Sequence, residues 1–139
     1  MLKEWKKEFY PINVSKTKKK DAISHSLKKW IGARNKNLQK YGVTLREVSI
    51  FFSGSCCSLC HHYREISCKK CPLYKVRNLE CYNGIDSPHF QFINDCNPEP
   101  MIKLLMKAKK VEDNKKPSKS KISKTKIKLS WFRRYGFKN

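Results

Sequence analysis

Two Cys-x-x-Cys pairs decide the fold of this chain, in residues 57–81, which read CSLCHHYREISCKKCPLYKVRNLEC. The first motif consists of Cys57 and Cys60, and the second consists of Cys68 and Cys71. A Cys-x-x-Cys turn directs two sulfurs at one ion, and two such turns can close a tetrahedral cage of four thiolates. Such a cage leaves no open coordination position, so we expect one structural Zn²⁺ ion that holds the fold.

Three alternatives to that site stay open. Cys81 can replace one of the four ligands or pack as a buried thiol. An iron–sulfur cluster is also held by four cysteines, although its better-known spacings differ from this one. Disulfides are the third alternative, but the chain has seven cysteines, an odd number, and disulfide frameworks belong to secreted proteins.

The first residues, MLKEWKKE, lack the apolar segment of a secretory signal. No run in the chain approaches the roughly 18 apolar residues of a membrane span. We therefore expect reduced cysteines, no membrane partner and a cytoplasmic protein.

The charge of the chain is unevenly distributed. The formal net charge is +21, from 32 Lys and Arg against 11 Asp and Glu. Residues 51–102 sum to zero, whereas residues 1–20 carry +5, residues 21–50 carry +4 and residues 103–139 carry +12. Basic flanks bind polyanions because each neutralised phosphate releases counterions. The expected partner is therefore RNA, DNA or a nucleoprotein complex.

Composition divides the chain into four parts. Residues 1–20 are predicted to form a basic N-terminal arm, and residues 21–111 a Cys-rich metal-binding domain. Residues 112–128 are rich in lysine and poor in apolar side chains, so they cannot build a core and are predicted to be a disordered linker. Residues 129–139 differ, because large apolar side chains are interleaved there with arginines.

The C-terminal segment is the predicted partner-binding region. Aromatic rings stack on unpaired bases, and guanidinium groups bridge phosphates or stack. The same residue types dominate protein–protein hot spots, so the sequence leaves both kinds of partner open. The candidate partner-binding residues are Lys124, Lys126, Lys128, Trp131, Phe132, Arg133, Arg134 and Tyr135.

Two main helices are predicted. The first covers residues 21–41, with Asp21 as its N-cap and Gly42 as its C-terminal cap. The second covers residues 98–111, where Met101, Leu104, Leu105 and Ala108 form the buried stripe. The fold class predicted is a small, metal-stabilised, mainly α domain of the zinc-knuckle type, with disordered basic tails.

Other side chains are assigned less directly. Residues 43–52 fit either a strand, from alternation, or a helix with the capping box Thr44–Glu47. Phe90 and Phe92 are predicted to complete the core, and His25 to be a surface residue. The polar face of the first helix is predicted to carry Lys28, Lys29, Lys36 and Lys40.

The order of these motifs resembles a group of small, mostly uncharacterised Cys-rich proteins of tailed bacteriophages. The resemblance covers about residues 22–108. It implies a phage accessory protein with a metal-held fold and implies no reaction. The fifth cysteine of the pattern favours Cys81 as a ligand. The residues that carry the resemblance are Leu27-Lys-Lys-Trp30, Cys57-Ser-Leu-Cys60, Tyr63, Cys68-Lys-Lys-Cys71-Pro72-Leu73, Cys81, Ser87-Pro88-His89-Phe90 and Met101.

The sequence favours a non-enzymatic protein that binds nucleic acid or a nucleoprotein through basic flanks on a zinc core. The alternative is a protein-directed effector that inhibits or redirects a host or defence machine. A metal-dependent nuclease is a more remote alternative, since such enzymes also carry Cys-x-x-Cys knuckles. That class needs a His base near a catalytic ion. His61 and His62 lie on the knuckle itself, and no Asp-His pair follows.

Overall fold

The computed structural model describes residues 1–63 and 66–115. The chain divides into two compact units, Met1–Lys109 and Lys110–Asn139, and residues 110–115 are the described part of the second unit. The described residues are mainly helical and contain no β-strand, which confirms the fold class at this coarse level. They form eight α-helices where two main helices were predicted: α1 Leu2–Phe9, α2 Ala22–Ile31, α3 Asn35–Tyr41, α4 Leu45–Val48, α5 Ser58–Tyr63, α6 Pro72–Arg77, α7 Pro88–Asp95 and α8 Glu99–Asn114. Short 3-10 turns occupy Val14–Lys16, Lys19–Asp21, Ser49–Phe52, Gly54–Cys56 and Cys68–Lys70.

Helix α1 packs into the core, although residues 1–20 were expected to form a basic arm. Trp5 and Phe9 are buried, and the Trp5 indole N–H donates to the Gly32 carbonyl oxygen at 2.9 Å. The Trp5 ring also stacks on Phe51 with centroids 5.7 Å apart. Removing such large apolar rings from water is favourable, so the helix docks and does not extend as an arm. The lysines of α1 remain on its solvent face.

The helix predicted over residues 21–41 is in fact two helices, α2 and α3. The break begins at Gly32, which lies against the N-terminal helix. A Cβ added at Gly32 would lie 2.6 Å from Phe9 Cγ and 2.8 Å from Trp5 Cζ2. Asp21 precedes α2 but makes no side-chain capping hydrogen bond, so the predicted cap is wrong in that respect. Gly42 ends α3 with φ of 62°, which confirms the predicted C-terminal cap.

Helix α2 is buried on more of its circumference than the predicted apolar stripe. Lys29, expected on the solvent face beside Lys28, is only 1% exposed. It falls in helical register with small side chains that pack against the cysteine segment, and this register places it inside. The buried residues of α2 are Ala22, Ser26, Leu27, Lys29, Trp30 and Ile31.

Residues 43–52 form helix α4 followed by a 3-10 turn, so the strand alternative is wrong. The capping box is complete: Thr44 Oγ1 accepts from the Glu47 amide at 3.2 Å, and the Glu47 carboxylate accepts from the Thr44 amide at 2.7 Å. These two bonds satisfy amides that a helix start leaves without partners. Ile50, which the alternation would have buried, is 65% exposed.

The last two described helices cover the core from the C-terminal side of the domain. Ser87 Oγ caps α7 by accepting from the Phe90 amide at 3.1 Å. Positions i and i+2 of a helix point in nearly opposite directions. Phe92 is therefore buried while Phe90 is 37% exposed, and the prediction that both complete the core is wrong for Phe90.

Helix α8 begins at Glu99, one residue after the predicted start, and ends later than predicted. Asn97 Oδ1 accepts from the Glu99 amide at 3.1 Å, and the predicted stripe of α8 is buried. The helix continues to Asn114, three residues into the predicted linker 112–128. Within the described ranges, no helix combines the length and hydrophobicity needed to cross a bilayer.

Candidate metal centre

The first Cys-x-x-Cys pair lies at the start of α5. Cys57 has an extended backbone and ends the 3-10 turn Gly54–Cys56. Its carbonyl oxygen accepts from the His61 amide at 3.0 Å, which starts the helix, and Cys60 lies one turn further on. Cys57 and Cys60 line the same cavity. The spacing therefore places both cysteines at one cavity, and their binding of a common ion stays a prediction.

The second pair forms a 3-10 turn and then leads into α6. The Cys71 amide donates to the Cys68 carbonyl oxygen at 3.0 Å. Pro72, with its fixed φ, takes the first position of α6. Burial raises the pKa of Cys71, and the backbone amides of Leu73 and Tyr74 act in the opposite direction. Amides aimed at a sulfur stabilise its thiolate form, which is the form that binds metal.

The fifth cysteine of the segment joins the same cluster. Cys81, Cys57, Cys60 and Cys68 line one cavity of about 260 Å³. A smaller cavity of about 30 Å³ is lined by Cys71 together with Cys60, Cys68 and Cys81. All five cysteines of residues 57–81 thus line one or both of these cavities, and Cys81 lines both.

The cysteine sulfurs are not arranged around a common centre where a metal ion could bind. All seven are free thiols. As the side chains stand in the described part of the chain, no three His, Cys, Asp or Glu residues form a group that could hold a metal ion. The donor chemistry nevertheless fits a soft metal, because thiolates select zinc and iron–sulfur centres. Binding one ion requires the thiols to turn from their present positions toward a common centre.

The pKa values of the cysteines in the cluster are shifted in different directions. The hydrogen bond from the Cys60 thiol holds the pKa of Cys57 well below its usual range, against the effect of burial. The same hydrogen bond raises the pKa of Cys60. Burial raises the pKa of Cys71, and it raises the pKa of Cys81 to about 12. Metal binding at this site therefore has to displace protons from buried thiols, which makes the affinity depend on pH.

A lysine and two serines of α2 and α5 surround Cys57. Lys29 Nζ donates to the Cys56 carbonyl oxygen at 2.7 Å, and it lies 5.5 Å from the centroid of the Phe52 ring. Burial lowers the pKa of Lys29, and the neighbouring thiolates act in the opposite direction. Ser26 Oγ lies 3.8 Å from Cys57 Sγ and 3.1 Å from Ser58 Oγ. A polar, positively charged group therefore backs the cysteine cluster on the side of α2.

The histidines near the cluster are engaged elsewhere. His62 Nε2 donates to the Thr17 carbonyl oxygen at 2.6 Å, while His61 is exposed. His25 was expected at the surface but is partly buried: Nε2 donates to the Ile12 carbonyl oxygen at 2.6 Å, and Nδ1 lies 3.1 Å from Ser58 Oγ. Burial lowers the pKa of His25. These bonds tie α2 and the N-terminal segment to α5, which is a structural role.

Sequence reasoning missed two residues of the cavity. Lys29 and His89 both line it beside the cysteines. Burial lowers the pKa of His89, and its ring packs edge-on to Trp30 at 6.3 Å. A signal for Lys29 was present, because it continues the small-residue stripe of Ala22 and Ser26 at helical spacing. His89 had no local signal.

The predicted partner-binding residues Lys124, Lys126, Lys128, Trp131, Phe132, Arg133, Arg134 and Tyr135 lie outside the described residues, as do the rest of the linker beyond residue 115 and the segment 129–139. Comparison with protein-family models, with curated proteins and with solved structures returns no match.

Proposed function

We propose that this chain is a non-enzymatic accessory protein of bacteriophage type, cytoplasmic in the host, that binds nucleic acid or a nucleoprotein complex. Positive charge is the observation that carries the proposal. The net charge is +21, and residues 51–102 contribute none of it. Binding by counterion release requires a positively charged surface and no catalytic group, so it matches what the chain offers.

The N-terminal lysines support this proposal because their charge is not neutralised locally. The two glutamates of α1 are already paired, Glu4 with the terminal amine at 2.5 Å and Glu8 with Lys40 at 3.3 Å. None of the seven lysines of residues 1–20 lies within salt-bridge distance of a described carboxylate. Because α1 is folded, its lysines are presented on a fixed surface and lose less freedom on binding than those of a disordered arm would.

The proposal includes one structural Zn²⁺ ion. Its ligands are Cys57, Cys60, Cys68 and Cys71, with Cys81 as the substitute for one of them. Support comes from the two cavities that these cysteines line: Cys57, Cys60 and Cys68 share one, and Cys60, Cys68 and Cys71 share the other. The ion would hold the Cys-rich segment and take no part in a reaction. Elemental analysis should find one zinc per chain; a protein purified without a chelator and free of metal would contradict this part of the proposal.

Binding to random-sequence RNA and to duplex DNA, at 50 and 200 mM salt, tests the nucleic-acid proposal. With six or more phosphate contacts, affinity should fall about 1,000-fold or more between these concentrations. The double variant Lys3→Gln, Lys7→Gln should reduce the salt slope by about two. The matched control is Lys70→Gln, Lys75→Gln, which removes equal charge from exposed positions in the neutral region. Binding that is absent at 50 mM, or equal loss in both variants, would contradict the proposal.

A second candidate is a protein-directed effector, and one surface feature favours it. The electrically neutral region exposes several large apolar side chains close together in sequence, which is the composition of a protein contact. They are Leu79, Tyr82, Ile85, Phe90 and Ile93. Affinity capture from host lysate, with and without nuclease treatment, separates the candidates. If a host protein stays bound after nuclease treatment and at moderate salt, the result favours the protein-directed effector. If all partners are lost after nuclease treatment, the result favours binding to nucleic acid.

A further inference from the structure

Lys29 is the most unusual charged residue of the described chain. Its side chain is attached to the middle of α2 and is 1% exposed. Lysine is almost never fully buried unless an opposite charge accompanies it, because an ammonium loses its hydration in a low-dielectric interior. A buried lysine at this position therefore needs an anion nearby.

The described carboxylates do not supply that anion. No described Asp or Glu lies within salt-bridge distance of Lys29. Its one described hydrogen bond goes to a neutral acceptor, the Cys56 carbonyl oxygen, at 2.7 Å. An ammonium has three N–H donors, so this contact satisfies only part of its capacity. The nearby groups that can become negative on binding a metal are cysteine thiols, of which Cys57 and Cys60 line the same cavity as Lys29.

The net charge of a four-thiolate metal site gives a reason for a buried lysine at this position. Four thiolates around one divalent ion leave an excess of two negative charges. That excess is buried here, where a counter-charge acts more strongly than at the surface. We propose that Lys29 is a positioning residue of the metal centre, whose buried ammonium offsets the excess negative charge of the metal–thiolate group. This inference rests on the proposed zinc site.

Cobalt substitution tests the inference directly. Co²⁺ replaces zinc in thiolate sites and reports through its absorption, so the affinity for Co²⁺ and the competing affinity for Zn²⁺ can be measured in one titration. Lys29→Met keeps the length of the side chain and removes its charge. We expect about 10- to 100-fold weaker metal binding, the usual effect of changing an outer partner of a metal site. Lys36→Met, which removes a charge at an exposed position, should bind as the unchanged protein does.

The sulfur-to-cobalt charge-transfer band gives a readout that a merely structural role would not move. A positive charge beside the thiolates lowers the energy of the sulfur electrons, so its removal should shift the band to longer wavelength. The band of Lys36→Met should stay in place. Lys29→Arg, which retains a cation, should restore binding and band position toward those of the unchanged protein. If Lys29→Met does not fold while Lys29→Arg folds and binds metal, the need for charge at this position is supported.

The outcomes separate the inference from the proposal beneath it. Unchanged protein that binds neither Co²⁺ nor Zn²⁺ removes the metal centre and the role of Lys29 with it. Unchanged protein that binds, together with a Lys29→Met variant of equal affinity and unshifted band, leaves the metal centre standing and overturns the role of Lys29.

Discussion

Gly32→Ala should destabilise the protein, and the result tests whether the N-terminal helix belongs to the core. Gly32 has φ −60° and ψ −20°, a conformation that alanine adopts without strain. On local grounds alone the change should therefore stabilise, by up to about 1 kcal/mol, because alanine loses less backbone freedom on folding.

Packing reverses that sign. The new methyl group would lie 2.6 Å from Phe9 Cγ, 2.8 Å from Phe9 Cβ and 2.8 Å from Trp5 Cζ2. Both rings are buried, at 1% and 0% exposure, so neither can withdraw into solvent. Forcing a methyl group into a well-packed core costs about 1–3 kcal/mol. Setting this against the local gain, we expect a net loss of about 1–2 kcal/mol in the free energy of unfolding.

Urea unfolding followed by tryptophan fluorescence measures the change, since Trp5 reports on this contact. A second variant, Phe9→Leu, provides the internal control. If the clash is with Phe9, the penalty for Gly32→Ala should shrink in the Phe9→Leu background, as a double-mutant cycle would show. A Gly32→Ala protein that is as stable as the unchanged chain, or more stable, would show that α1 does not pack on Gly32.

The remaining predictions concern the cysteines and the cap of α4. Cys57→Ser or Cys71→Ser should abolish stoichiometric zinc binding and expose the amides of α5 and α6 to hydrogen exchange. The control Cys96→Ser, at an exposed position, should change neither result. Zinc retained by both ligand variants would contradict the assignment. Thr44→Ala should lower the free energy of unfolding by about 0.5–2 kcal/mol, measured by thermal unfolding, because the capping box is lost. Hydrogen bonds from Thr44 lower the pKa of Glu47 below its ordinary 4.5 in the folded protein. The stability that this carboxylate contributes is therefore present above its unfolded-state pKa and is lost as the pH falls through the lowered folded-state value. Thr44→Ala should reduce this loss but not remove it, because the Thr44 amide still donates to the carboxylate.

Local chemistry made part of this structure predictable from the sequence. The spacing of Cys57 and Cys60 brings two sulfurs together through a single helical turn, which needs no distant contact. Thr44 and Glu47 form the capping box for the same reason. A glycine such as Gly42 ends a helix because its own backbone permits a positive φ. In each case the causes lie within four residues of the effect.

The rest depended on contacts between distant residues. Trp5 and Phe9 lie in a lysine-rich segment, and burial became favourable only because Gly32, over twenty positions away, leaves room for their rings. Lys29 was assigned to solvent because charge usually decides exposure, but the cysteine segment packs over it. His89 reached the cavity because α7 folds back toward α2. Amino-acid composition and local sequence pattern do not indicate which distant residues come into contact.

Two parts of the domain differ in how much apolar surface they bury, and this difference bears on the role of the proposed zinc ion. Residues 1–52 bury most of the large apolar side chains, and Phe92 of α7 joins them through ring contacts with Trp30 at 4.7 Å and Phe52 at 5.1 Å. Among the described residues between 53 and 91, by contrast, the buried apolar side chains are Leu59, Pro72, Leu73 and Pro88. So little apolar burial cannot offset the conformational entropy lost when this segment is ordered. The proposed zinc ion would supply a further source of stability to the cysteine segment, through bonds to four of its five thiols.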